Sequence, residues 1–160
     1  MTLRYKCLGL ALALVVSVSL YGSAWADTVA NGLRAYDAGD CAAAARIWGA
    51  LAEDGDPMAQ LGLAGLYRQG LGVPRDLAEA ARLYRAAAEQ GIEDAQFNLG
   101  RLYAEGVGVP RDLVKAYLWF GLAAAHGRRG AEEWRHEVAA ELTPEQLAEA
   151  ERRIAAFHPR

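Results

Sequence analysis

Three histidines, Cys41 and two glutamate clusters are the side chains in this sequence best suited to chemistry. His126, His136 and His158 could ligate a metal or act as bases, but they are scattered, without the paired spacing of a zinc site. Cys41 lies far in sequence from all three, so a Cys–His nucleophile pair would need the fold to bring them together. Glu132-Glu133 and Glu149-x-Glu151 read as solvated helix faces. Gly70 to Gly72 and Gly106 to Gly108 are not phosphate loops, because no strand precedes them and no Gly-Lys-Ser/Thr follows. Trp48, Trp119 and Trp134 fit helix packing better than a sugar-binding platform. The expectation is no catalytic residue, no metal site and no cofactor. Cys41 reads as a small buried packing residue, with an intermolecular disulfide or a redox-sensitive thiol as the alternative.

The elements that would position these residues are set by an internal repeat. Ala59 to Asp94 and Ala95 to Gly130 are two 36-residue blocks that align without gaps. They share Leu63/Leu99, Leu66/Leu102, Tyr67/Tyr103, Gly70/Gly106, Gly72/Gly108, Pro74/Pro110, Asp76/Asp112 and Ala80/Ala116, among others. A fixed period of this size marks an array in which each unit buries its apolar face against the next. Tyr36, Gly39, Asp40, Ala44 and Trp48 form a shortened earlier copy that lacks the residues matching Leu71 to Arg75.

Within each block the punctuation is helical. Aspartates at 40, 56, 76 and 112 stand where an N-cap accepts from free N–H groups, and Pro57 suits a first helical position. Glu79 stands three residues after Asp76 as a possible capping box. Glycines at 55, 70, 91, 106 and 127 end helices. After Gly130 the repeat text stops. Ala131 to Leu142 reads as one helix, and Thr143-Pro144-Glu145-Gln146 starts another that runs to about Phe157. That last helix is charged, as an array needs in order to cover its final apolar face. No strand alternation is present, so the fold expected is all-α.

The N-terminus has a short basic region (Arg4, Lys6), an apolar run from Leu8 to Leu20, and Ala24-Trp25-Ala26. This is the layout of a secretory signal peptide cleaved after Ala26, with an uncleaved membrane anchor as the alternative. The expected domain map is 1–26 signal peptide and 27–160 repeat domain, with units at about 28–55, 56–91 and 92–127 and a cap at 128–160. The whole chain has a formal charge of −3; without Arg4 and Lys6, fifteen basic residues face twenty acidic ones, a charge of −5. That balance argues against nucleic-acid binding, which needs clustered cations. No stretch after the leader is long and apolar enough to span a bilayer.

The text Ala-x3-Leu-(Gly/Ala)-x-Leu-Tyr-x2-Gly-x-Gly-Val-x2-Asp-x3-Ala-x6-Ala-Ala-x2-Gly resembles Sel-1-like repeats, relatives of the tetratricopeptide repeat. The resemblance covers about Tyr36 to Gly127. It implies an α/α superhelix (solenoid) of helical hairpins with a C-terminal capping helix. It also implies a non-catalytic adaptor of the bacterial envelope that binds a protein or peptide partner. In that architecture the side of each first helix turned away from the core stripe lines a concave groove. Helical spacing puts Leu61, Arg68, Gln69, Phe97, Arg101 and Glu105 on that side, and register adds Arg34 and Asp37. Aromatic and arginine side chains carry most interface energy, so the groove is expected to centre on Leu61, Arg68, Phe97 and Arg101. The location expected is periplasmic or secreted. Two rival functions are a cell-wall or β-lactam hydrolase and a structural spacer or oligomer contact.

Overall fold

The computed structural model describes residues 28–159. The leader expected over residues 1–26 lies outside them. Eight helices run in order among the described residues. α1 (Val29–Asp37) and α2 (Cys41–Glu53) form the first hairpin, α3 (Pro57–Gln69) and α4 (Leu77–Glu89) the second, and α5 (Glu93–Glu105) and α6 (Leu113–Ala125) the third. α7 (Ala131–Ala139) packs beside α6, and α8 (Pro144–Ala155) also lies on α6. No described helix is long and apolar enough to cross a membrane.

The caps follow the sequence. Asp40, Asp56, Asp76 and Asp112 each accept from backbone N–H groups of the first turn they precede. Thr143 and Gln146 form a reciprocal capping box ahead of α8. The box expected between Asp76 and Glu79 is absent. The Asp76 N–H already donates to the Tyr67 carbonyl at 3.0 Å, and Glu79 turns to Arg82, accepting at 2.6 and 2.9 Å.

The core is a column of large side chains laced with alanine. Trp48, Leu66, Leu83, Tyr84, Leu99 and Phe120 are buried, and Ala44, Ala59, Ala80, Ala95 and Ala116 sit fully shielded where helices cross. Small residues at the crossings let the helix axes approach closely, so the large side chains interdigitate at the density of an organic crystal. Two buried amides stitch the units together. Gln60 donates to the Ala52 carbonyl at 3.3 Å and accepts from Gln90 at 3.0 Å. One repeat later Gln96 donates to the Ala88 carbonyl at 3.1 Å and meets the His126 ring at 3.0 Å. Each amide donates to a carbonyl in the last turn of the preceding second helix that also accepts a backbone N–H from the following turn, Gly55 on Ala52 and Gly91 on Ala88.

The Gly-x-Gly loops dock each hairpin onto the one before it. Gly72 and Gly108 have φ of +70° and +71°, and a Cβ on either would strike backbone: Cys41 at the start of α2, Leu77 at the start of α4. The first hairpin has no such loop: residues 38–40 alone join α1 to α2. At the other end Trp119 meets Phe157 edge-on at 5.8 Å, and Tyr117 donates to Glu151 at 2.5 Å.

Candidate partner-binding cleft

The first helices present the residues expected to meet a partner, and the structure sorts them into three groups. Arg68 of α3 and Arg101 and Glu105 of α5 come together around one cleft of about 170 Å³. Arg75, Asn98 and the aliphatic side chains of Leu77, Leu102 and Val107 complete its lining. One repeat on, Arg68 is replaced by Ala104, and Arg101 stands one turn before that position, so stacking one first helix on the next brings the two arginines together.

Three guanidinium groups and one carboxylate share this cleft. Arg101 pairs with Glu105 at 3.0 Å and lies 5.6 Å from the centre of the Trp134 ring. Arg75 spends its Nε on the Arg68 carbonyl at 3.2 Å. Arg111, its counterpart one repeat on, makes the same bond to Ala104 at 3.0 Å and also reaches Glu141 at 2.9 Å. The Nε of Arg68 is shut from solvent without a hydrogen-bond acceptor. Beneath the cleft stands the buried Tyr84. Burial pushes its hydroxyl pKa up, and the charge and hydrogen bonding of Arg68, with a smaller part from Arg101, pull it partly back. The cleft is therefore locally cationic on a chain whose formal charge is −3.

Leu61 and Phe97 form the second group, and here the expectation of free apolar anchors needs correcting. Both are half-buried and pack against the core. The Phe97 ring lies 5.6 Å from Phe120 and 6.4 Å from Trp134, with the Arg128 guanidinium 4.7 Å above it. α7 packs on α6 and sends Trp134 against Phe97 and Arg101, so this part of α5 is covered by a side chain from outside the repeat. The third group lies outside the cleft. Arg34 pairs with Asn31, and Asp37 is exposed, both on α1. Gln69 donates to the Gly65 carbonyl of its own helix at 3.2 Å.

The residues considered for chemistry do not converge. Among the described residues no three His, Cys, Asp or Glu side chains gather into a metal-sized group. His126 serves Gln96, and His136 lies beside Glu132 at 3.2 Å. Cys41 is half-buried at the start of α2 with no disulfide partner among the described residues. Arg75 and Trp134 were missed by the sequence reading. Arg75 carried a signal, since it recurs as Arg111. Trp134 carried none, because α7 is outside the repeat and has no register to place it.

The Sel1 repeat pattern matches residues 57–92 and 93–127. Among the solved structures that are similar, two illustrate the likeness. One is a protective antigen present in uropathogenic Escherichia coli strains, displaying an SLR fold. It is 32% identical with a TM-score of 0.77, over 81% of this chain and 28% of that one. The other is a Sel1 repeat protein from Oxalobacter formigenes, 31% identical with a TM-score of 0.67, over 82% of this chain and 56% of that one. This chain thus spans between about a quarter and just over half of the length of these two proteins. No curated protein matches it.

Proposed function

The chain belongs to the Sel1 repeat family, and from that premise we propose that it is a non-catalytic adaptor of the bacterial envelope, binding a protein or peptide through the concave surface of its repeats. The observation that carries this reading is the α3/α5 cleft, with Arg68, Arg75 and Arg101 facing one carboxylate. Three guanidinium groups against one carboxylate leave a surplus of charged N–H donors around the cleft, and a partner's carboxylate is the group that would pair with it. Arginine meets carboxylate with a planar fork of donors, so the partner segment favoured is acidic. The envelope assignment rests on the leader expected over residues 1–26.

The test is capture from the native host after light cross-linking, with Arg68→Glu/Arg101→Glu beside the wild type. Both side chains are only half-buried, so helicity by circular dichroism should be unchanged. The wild type should recover an acidic envelope protein, and the double variant should lose at least about tenfold of it. Recovery should also fall steeply between low and physiological salt, because exposed charges are screened. Equal recovery by both forms would overturn the reading.

A further inference from the structure

The second helices also lie side by side, and between α2 and α4 they leave a groove of about 490 Å³. Ala42, Ala45 and Gly49 of α2 form one wall, Glu79 and Arg82 of α4 the other, and Tyr67 of α3 reaches it from below. This groove does not belong to the cleft described above, which lies between α3 and α5.

Gly49 is the unusual residue. Glycine inside a helix costs stability relative to alanine, so each instance calls for a cause. Most helical glycines here have one. A Cβ on Gly62 would lie 2.9 Å from the Trp48 ring, on Gly100 2.9 Å from Phe120, and on Gly121 2.6 Å from Ile154. Gly32 also abuts Trp48, and Gly65 faces the Tyr84 hydroxyl. A Cβ on Gly49 would meet nothing within 4 Å. The open space above Gly49 is part of the groove.

One repeat later the same register position is Arg85. Its guanidinium donates to the Tyr103 hydroxyl at 2.7 Å and sits 5.9 Å from the centre of that ring. Tyr103 is the counterpart of Tyr67. The seam between α4 and α6 therefore holds an arginine hydrogen-bonded to its tyrosine, whereas in the seam between α2 and α4 that position is Gly49, and the nearby Arg82 is paired with Glu79. Charge does not oppose an occupant. Arg85 is accommodated beside Lys115, which also reaches Tyr103, with Glu89 the carboxylate one turn on. In the first seam Glu79 stands in place of Lys115 and Glu53 in place of Glu89, with Arg46 and Arg82 on the same groove. Two cations and two carboxylates balance there, so the first seam is no more positive than one that already accepts a guanidinium.

We propose that the α2/α4 groove binds an arginine side chain presented by a partner protein, seated against Tyr67 as Arg85 is seated against Tyr103. The groove is a second contact point, separate from the cationic cleft, and it selects the opposite charge.

The test is an NMR titration of the isotope-labelled protein with the peptide acetyl-Gly-Arg-Gly-amide, and with the same peptide carrying Glu in place of Arg. Saturable shifts should appear at Gly49, Tyr67 and their neighbours with the arginine peptide alone. Gly49→Arg supplies the occupant from within the chain and should weaken peptide binding by at least about tenfold. Tyr67→Phe removes the hydroxyl acceptor and should weaken it about three- to tenfold. Should Gly49→Arg lose helicity, Tyr67→Phe decides. Shifts located elsewhere, equal binding of the glutamate peptide, or wild-type affinity in a folded Gly49→Arg or Tyr67→Phe variant would overturn the proposal.

Discussion

The seam between α2 and α4 and the seam between α4 and α6 are one construction made twice. Each has a tyrosine from the intervening first helix, Tyr67 or Tyr103, and a Gly-x-Gly loop pressed on the start of the earlier second helix. They differ in what fills them. Arg85 and Lys115 both reach Tyr103, at 5.9 and 5.2 Å from its ring centre. Gly49 and Glu79 stand at those positions in the first seam, and Glu79 is turned to Arg82. The positions that stack the hairpins stay fixed while the positions that line the seams change. In an array whose units contact only their neighbours, such a change alters one surface without disturbing the next.

The largest effect expected tests whether the two seams share their lock. Gly72→Ala and Gly108→Ala each force a left-handed backbone and drive a methyl group into the preceding helix start. The backbone strain and the overpacking together should cost about 2–5 kcal/mol. Thermal or urea unfolding of both variants should show losses of similar size. A severe loss at one glycine and none at the other would mean that the two loops do not dock equivalently.

A smaller pair probes the difference between the seams. Arg85→Ala removes a charged hydrogen bond to Tyr103 at 2.7 Å and should cost about 1 kcal/mol, discounted because the arginine is half-exposed. Gly49→Ala should act in the other direction. Its Cβ enters open space, so helix propensity alone predicts a gain of about 0.5–1 kcal/mol. At about 2–4 °C per kcal/mol for a chain of this size, the two melting points should move apart on either side of wild type. A destabilised Gly49→Ala would show that the glycine has a structural cause that the packing does not reveal.

Much of this architecture was legible in the text of the chain. Asp56-Pro57, Gly70 and Thr143 to Gln146 marked helix ends because capping chemistry is local. The cationic cleft was half legible: Arg68, Arg101 and Glu105 share a helix side, and stacking at a fixed period brings them together. The fate of Phe97 was not. A helical wheel gives a direction, whereas burial depends on the neighbouring helix, and Trp134 arrives from α7 outside the repeat. Gln60 and Gln96 were visible as matching residues. Their bonds to Ala52 and Ala88 span adjacent hairpins and have no sequence signal. Glu79 as a capping partner failed for a local reason, since the Tyr67 carbonyl already takes the Asp76 N–H.

The smallest effect concerns the caps that open α4 and α6. Asp76 accepts from the backbone N–H groups of Ala78 and Glu79, both at 3.0 Å. Asp112 accepts from the Lys115 N–H at 3.0 Å and also pairs with its ammonium at 2.9 Å. Burial by itself would raise the Asp112 pKa, but the backbone and side-chain bonds from Lys115 outweigh it and hold the carboxyl below its usual value. A folded value below the unfolded one, near about 3.9, sets the sign. The stabilisation is complete above that pH and is lost as pH falls through the folded value. The pair is solvent-exposed, so at most about 0.5 kcal/mol is at stake. Asn is an equally good N-cap, so Asp112→Asn keeps the cap and removes the charge pair. The melting-point gap between wild type and this variant should be small at pH 6 and close between about pH 4 and pH 2. A gap that persists at pH 2 would assign the difference to cap geometry and remove the charge pair from the account of how the second seam is held.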